Sequence, residues 1–137
     1  MSHPPVIEDA VAIVPVRDVA ATLDFYADVL GFERRFAADD QSFGIAVHGD
    51  AAVHFLRTSD AAALKETAAN ISIYMWVAGV DALYALYKPK LDDLAPGRVR
   101  PPFDQDYGMR EFHVKDLDGC LLLFGEAIVR PGKQAKR

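Results

Sequence analysis

Apolar and polar residues follow one pattern twice along the chain. Each copy has an apolar run that ends at a valine, Val16 or Val77, and a tyrosine ten residues later, Tyr26 or Tyr87. After each valine, apolar residues recur every three or four positions, which is typical of the buried face of a helix. Each copy therefore predicts a strand, a short turn and an amphipathic helix, and the repetition indicates two related modules.

Local signals predict where these helices begin and end. The Asp18 carboxylate stands where it can accept hydrogen bonds from the free N–H groups of the first helix. Gly31 is well placed to end that helix, because glycine tolerates the left-handed conformation. Pro89 falls near the end of the second helix and is expected to shorten or kink it.

Three further strands are predicted after each helix. They are expected at about residues 32–38, 42–47 and 51–57 in the first copy and at 98–100, 110–115 and 120–125 in the second. Turns at residues 48–50 and 116–119 separate the last two strands of each set, and the Asp-Gly pair of the second turn is a strong hairpin signal.

The predicted order is βαβββ twice, an α+β fold. The first strand of module two is expected at about residues 70–77 and that of module one at about 10–16. The boundaries are module one at about residues 9–57, a linker at 58–69 with a helical stretch at 61–67, module two at about 70–126 and a basic tail at 127–137. One such module is too small to bury a sheet face alone. We therefore expect a single domain whose two sheets form a half-barrel cavity, covered outside by helices, with a ligand in the cavity.

Composition excludes several classes of protein. Of the 137 residues, 51% are hydrophobic and 26% charged, which is ordinary for a globular domain. No apolar run reaches about 18 residues, and no basic start precedes an apolar stretch, so neither a membrane span nor a signal peptide is expected. The single cysteine, Cys120, has no partner for an internal disulfide, which favours a reducing, cytoplasmic location.

The charge is concentrated in two parts of the chain. The net charge is −5, but four of the fifteen basic residues lie in the last eight positions, so residues 1–129 carry eleven basic and twenty acidic groups. Such an acidic body repels nucleic acid and anionic membranes and favours a cationic small molecule. Solubility alone is the alternative explanation of the same charge.

Five short motifs together resemble a known family. They are residues 15–19 (PVRDV), 25–26 (FY), 29–32 (VLGF), 107–112 (YGMREF) and 116–119 (DLDG). This set, spread over about residues 9–126, resembles the vicinal oxygen chelate superfamily of glyoxalases, extradiol dioxygenases and bleomycin resistance proteins. It is most similar to the bleomycin resistance branch.

The enzymes of that superfamily use a divalent metal held by His or Glu from four strands. The resemblance places these positions at Val11, His54, Ser72 and Leu123. Only His54 has a side chain that suits such an ion, because valine and leucine offer no ligand atom. We therefore expect no metal, no cofactor and no catalytic residue.

The resemblance implies a function and an assembly. We expect a non-catalytic protein that sequesters a cationic or aromatic, antibiotic-like compound, in a homodimer whose crevices use both chains. A metal-dependent lyase or dioxygenase of the same superfamily is the alternative. Nucleic acid and membranes are not expected partners, and neither the ligand nor an exchange of segments between the two chains can be derived from the sequence.

Alternation along the first strand of module two selects the expected ligand-binding residues. Ser72, Tyr74 and Trp76 share one strand face, which is the cavity face because Ser72 occupies a metal position of the family. The two aromatic rings either stack on a flat or cationic ligand or merely fill the cavity. The resemblance adds Tyr107, and weaker members of the same wall are His54, Phe43 and Phe103.

Glu111 and His113 also share a strand face, because they stand two residues apart. This spacing is compatible with an acid–base pair, but it is also common among ordinary strand neighbours. Their role stays open at this point.

Overall fold

A computed structural model describes residues 3–128 of the chain, so the basic residues of the predicted tail, at 129–137, lie outside the described residues. Within residues 3–128 the elements run in this order: β1 (Ala12–Val16), α1 (Val19–Asp28), β2 (Glu33–Ala37), β3 (Phe43–His48), β4 (Ala51–Arg57), α2 (Ala61–Asn70), β5 (Ser72–Trp76), α3 (Val80–Leu91), β6 (Val99–Asp104), β7 (Met109–Lys115) and β8 (Leu121–Ala127).

The strands form two four-stranded sheets of identical topology. The first sheet has the order β1-β4-β3-β2 and the second the order β5-β8-β7-β6. In each sheet the first strand of the module pairs in parallel with the last, and the remaining neighbours are antiparallel. The prediction of two βαβββ modules in an α+β fold is confirmed.

One hydrophobic core joins the helix-facing sides of both sheets. It includes Val53 and Phe55 of β4 together with Phe112 of β7 and Phe124 of β8, all at most 2% exposed. The Phe112 and Phe124 rings stack with their centroids 4.7 Å apart. In β4 the core residues Val53 and Phe55 stand two positions apart, and so do Phe112 and Val114 in β7, so each of these strands has a core side and an opposite side.

A buried carboxylate connects the two modules. The Tyr26 hydroxyl of α1 donates to Asp116 Oδ2 at 2.8 Å, across 90 positions of the chain. The other oxygen of Asp116 accepts from the backbone N–H groups of Asp118 at 3.1 Å and Cys120 at 3.0 Å. Burial raises the pKa of Asp116 in spite of these three donors. The predicted turn at 116–119 therefore also anchors module two to the first helix.

The helix boundaries follow the local signals in two cases and depart from them in two. The Asp18 carboxylate accepts from the N–H of Ala21 at 2.9 Å, as expected of a cap, and Gly31 has a φ of 71°. However, α3 continues past Pro89 to Leu91. The expected shortening is not observed, and two residues, Lys90 and Leu91, follow the proline within α3, so the hydrogen bond that it cannot donate is one of the last of the helix. The linker helix α2 is also longer than predicted and includes Asn70.

The strand that was predicted least accurately is β6. It runs from Val99 to Asp104 instead of covering only residues 98–100, and its register shifts between Arg100 and Phe103. Pro101 and Pro102 lie within this segment, and proline has no N–H to donate to a strand ladder. They are tolerated because β6 is an edge strand, which pairs with a neighbour on one side alone.

The side of each sheet that faces away from the core is called here the open face. On the first sheet it includes Ile13 and Leu56, which are 60% and 50% exposed, and on the second it includes Trp76, which is 43% exposed. Each open face therefore exposes large apolar side chains to solvent. No helix of the described part of the chain has the length and apolar character needed to span a membrane.

Candidate functional site

A groove of about 1370 Å³ lies along the edge strands β1 and β5. Its walls come from β1, from the beginning of β4 and from the whole of β5, with residues 126–127 at one end. Ser72, Tyr74 and Trp76 all line it, and so do the intervening Ile73 and Met75, because the groove follows the edge of the second sheet. The Tyr74 and Trp76 rings lie 5.4 Å apart at an angle of 52°.

The groove is acidic. Its lining residues include Glu8, Asp9, Asp50 and Glu126, and among the described residues that line it there is no lysine or arginine. Glu126 also accepts hydrogen bonds from the first N–H groups of α3, at Gly79 and Val80. A concave surface lined by one sign of charge raises the local concentration of oppositely charged solutes. The groove therefore favours cations.

A fully buried carboxylate lies beside this groove, on the open face of the second sheet. Glu111 of β7 is 0% exposed. Its Oε2 accepts from the hydroxyls of Tyr107 at 2.6 Å and Tyr74 at 2.9 Å. Its Oε1 accepts from Gln105 Nε2 at 3.2 Å and lies 2.8 Å from His113 Nε2. These five residues are called here the Glu111 cluster.

The carboxylate at the centre of the cluster, Glu111, is kept ionised by its hydrogen-bond donors. Burial alone would raise the pKa of Glu111, but the hydrogen bonds from His113, Tyr107, Gln105 and Tyr74 outweigh it and hold that pKa below the ordinary value. Burial and the nearby carboxylate raise the pKa of Tyr107 to about 12, and that of Tyr74 rises as well. Within residues 3–128, no lysine or arginine forms an ion pair with Glu111. The site therefore holds a negative charge that is solvated by neutral hydroxyl and amide donors and by one imidazole.

Gly125 of β8 makes this arrangement sterically possible. It pairs with Trp76 of β5 on one side and with Glu111 of β7 on the other. A Cβ atom at Gly125 would collide with the Tyr74 hydroxyl and would stand 2.9 Å from Glu111 Cγ. The missing side chain leaves the space through which the Tyr74 hydroxyl reaches the carboxylate.

The predicted site residues fall into two groups on different sheets. On the second sheet, Tyr74, Trp76 and Tyr107 are joined to each other by ring contact or through Glu111, and Phe103 packs edge-on against His113 with centroids 5.1 Å apart. The other group lies on the first sheet.

There, the Phe43 ring packs edge-on against the His54 imidazole, 5.4 Å between centroids. Neither residue lines the groove beside β5. The chain thus presents the predicted site as two separate surfaces.

Three members of the cluster, Glu111, His113 and Gln105, are not among the ligand-binding residues predicted from the sequence. Alternation with His113 was the one sequence signal for Glu111, and the structure shows that the two side chains are hydrogen-bonded. Gln105 stands in the turn after β6 and carried no recognisable motif.

The four positions that correspond to a metal site in the family do not fit a metal. Val11 precedes β1, and Leu123 lies in β8 opposite Tyr74, so neither brings a ligand atom. His54 and the hydroxyl of Ser72 remain, on different sheets. Among residues 3–128, no group of three or more His, Cys, Asp or Glu side chains is arranged to hold a metal ion. A divalent metal needs three or four nitrogen, oxygen or sulfur ligands, and this donor set is too small.

Comparison with known proteins identifies one family. The family described as "Glyoxalase/Bleomycin resistance protein/Dioxygenase superfamily" matches residues 9–124. A search of curated proteins by sequence finds no significant match.

Several solved structures share the fold. The bleomycin-binding protein of Streptomyces verticillus, solved with copper(II)-bleomycin, is 25% identical, with 93% of this chain and 100% of that chain covered and a TM-score of 0.72. A bleomycin resistance determinant encoded on the transposon Tn5 is 20% identical, with 90% and 100% covered and a TM-score of 0.67. The fosfomycin resistance protein FosX of Mesorhizobium loti is 19% identical, with 88% and 92% covered and a TM-score of 0.61.

Proposed function

The chain belongs to the glyoxalase/bleomycin resistance protein/dioxygenase superfamily, and we propose that it is a non-catalytic, cytoplasmic binding protein that sequesters a cationic, aromatic, antibiotic-like compound. The observation that carries this proposal is the pair of neighbouring rings, Tyr74 and Trp76, in an acidic groove without lysine or arginine among its described lining residues. Aromatic faces bind flat rings and cations, and the acidic lining attracts the cation.

Two further points support binding over catalysis. The donor set at the family's metal positions is too small, because Val11 and Leu123 offer no ligand atom. The fold resembles that of the bleomycin-binding protein of Streptomyces verticillus over nearly the whole chain. That protein was solved with copper(II)-bleomycin, so bleomycin is the first compound to test here.

The same proposal includes a homodimer. The two groups of predicted site residues lie on the open faces of different sheets, and exposed apolar side chains such as Ile13 and Leu56 accompany the group that contains His54. If the first sheet of one copy covers the second sheet of its partner, both apolar faces are buried and His54 meets the ring pair of the other chain. Each dimer would then have two equivalent ligand crevices.

Isothermal titration calorimetry with metal-free bleomycin tests the binding function. Replacing Tyr74 or Tyr107 by alanine is expected to cost roughly 1–3 kcal/mol of binding, as for bases stacked on aromatic side chains. Leu86→Ala is the matched control, because Leu86 is an exposed apolar residue on α3, away from the groove. The affinity is also expected to fall as salt rises, since the acidic groove contributes to it. Absence of heat with the wild type at high micromolar bleomycin refutes the antibiotic role.

Metal analysis tests the absence of catalysis. The purified protein is expected to contain no stoichiometric nickel, zinc, manganese or iron. Stoichiometric metal that is lost in the His54→Ala variant would instead favour a metal-dependent lyase or dioxygenase.

A further inference from the structure

Glu111 lies on the opposite side of the second sheet from the other buried residues of β7. Phe112 and Val114 point into the hydrophobic core, whereas Glu111 and His113 point to the open face. A charged group on that side is not needed to fill the core. Its burial comes instead from the polar side chains gathered over it, two of which were predicted to bind the ligand.

Those two side chains, Tyr74 and Tyr107, meet at one oxygen of Glu111. Tyr107 is 60% exposed, yet its hydroxyl is held at 2.6 Å from Glu111 Oε2. The Tyr74 hydroxyl reaches the same oxygen at 2.9 Å from a different strand. Each ring is thus fixed at its polar end, and the Tyr107 ring remains accessible to a ligand.

A carboxylate is the side chain that this arrangement requires. Its two oxygens accept from both phenols, from Gln105 and from His113 without donating a proton in return. Glutamine in the same place would present one acceptor oxygen and one N–H₂ donor, so at most part of the set would remain satisfied. Gly125 keeps the path of the Tyr74 hydroxyl open.

We infer that Glu111 is the positioning and charge-selecting residue of the ligand site: it holds the rings of Tyr74 and Tyr107 in place and gives the open face its preference for cationic over neutral aromatic ligands. This inference rests on the proposed binding function and names the group that sets its selectivity. Glu111 does not touch the ligand, because it is covered by its own donors. It acts through the two rings and through its charge.

The expected size of the charge effect follows from Coulomb's law. A unit charge about 8 Å from a bound cation, at an effective dielectric constant of about 20, changes an affinity by roughly thirtyfold. Solvent in the open groove reduces this value, so about tenfold is expected. A neutral aromatic ligand of the same shape does not experience the effect.

The test uses two flat probes that differ in charge: proflavine, which is cationic at about pH 8, and acridine, which is neutral there. The wild type is expected to bind proflavine more tightly than acridine. Glu111→Gln should weaken both probes through the partly lost anchor, and it should weaken proflavine by about tenfold more than acridine, because only proflavine also loses the attraction to the charge. Glu66→Gln, on the exposed surface of α2, removes one charge elsewhere and should change neither affinity.

Tyr107→Phe provides a second variant that is expected to fold, because Tyr107 is exposed. It keeps the ring and the Glu111 charge but removes the anchor, so it should weaken both probes by a similar factor of about three to ten. If it changes neither affinity, or if Glu111→Gln weakens both probes equally, the inference is wrong and the cluster serves stability alone.

The outcomes for the two proposals are distinguishable. Binding of bleomycin without any preference for proflavine over acridine would leave the proposed function standing and overturn the role of Glu111. Proflavine binding that depends on Glu111, with no bleomycin binding, would support the inference and remove the antibiotic role. A wild type that binds none of the three compounds refutes both.

Discussion

The hydrogen bond from Tyr26 to Asp116 offers a quantitative test of how the two modules are held together. Both residues are at most 2% exposed, and their oxygens lie 2.8 Å apart. Tyr26→Phe removes one hydroxyl and leaves the ring, which packs against Phe32 and Phe55. The change therefore isolates the hydrogen bond from the packing.

The expected cost follows from the state of Asp116 after the change. It keeps the two backbone donors on Oδ1, but Oδ2 becomes a buried carboxylate oxygen without a donor. Loss of a hydrogen bond to a charged, buried group costs about 2–3 kcal/mol. For a chain of this size, 1 kcal/mol corresponds to a shift in Tm of roughly 3–5 °C, so a decrease of about 6–15 °C is expected.

The loss of unfolding free energy in Tyr26→Phe should depend on pH. Burial already raises the pKa of Asp116, and removal of the Tyr26 donor raises it further, whereas the unfolded chain is unaffected. The loss of stability is therefore full at pH values above the raised pKa and shrinks as the pH falls through it, because a protonated carboxyl needs the donor less.

Urea unfolding followed by circular dichroism at equal protein concentrations measures the effect. Tyr87→Phe is the matched control, because Tyr87 occupies the corresponding place in module two, is also buried and has no hydrogen bond at its hydroxyl in the described structure. If the two variants lose the same stability within about 0.5 kcal/mol, the assignment of the Tyr26 hydroxyl as an anchor between modules is wrong.

Three further predictions concern packing, acid stability and assembly. Gly44→Ala should destabilise the fold by about 1–3 kcal/mol in urea unfolding, because the added Cβ would stand 2.7 Å from Val19 Cγ1 and 3.0 Å from Leu23 Cδ1. The pKa of Glu111 is lowered, so the stability that its charge contributes is fully present at pH values above the ordinary pKa of 4.5 and is lost as the pH falls through the lowered pKa. The difference in unfolding free energy between wild type and Glu111→Gln should therefore shrink over that pH range. Light scattering should give about twice the chain mass of 15.0 kDa for the wild type and a single chain for Leu56→Glu, and a monomeric wild type contradicts the proposed dimer.

Much of the fold could be predicted because its signals are local. The cap at Asp18, the left-handed Gly31 and the hairpin turn at 116–119 each depend on a few neighbouring residues. The course of β6 through two prolines and of α3 past Pro89 could not be predicted in the same way. Whether a missing N–H matters there depends on the edge position of the strand and on how close the proline lies to the helix end.

The candidate site could be predicted in part for the same reason. Alternation along β5 correctly placed Tyr74 and Trp76 together, since it needs no knowledge of other strands. The convergence of Tyr107 and Gln105 on Glu111 depends on the turn before β7 and on the register that sets Glu111 beside Gly125. No local pattern in the sequence encodes that register, so the centre of the cluster was not recognised.

The second sheet has the hydrophobic core on one side of its strands and the Glu111 cluster on the other. Phe112 and Phe124 stack in the core, while Glu111 and His113 alternate with the core residues of β7 and belong to the open face. Substitutions on the open face therefore change the proposed ligand surface without creating cavities in the core. Solved structures of the same fold include a bleomycin-binding protein and a fosfomycin resistance protein, so the fold by itself does not determine the ligand. Under the proposed binding function, the selection of the ligand depends on Tyr74, Tyr107 and the charge of Glu111, which lie together on the open face.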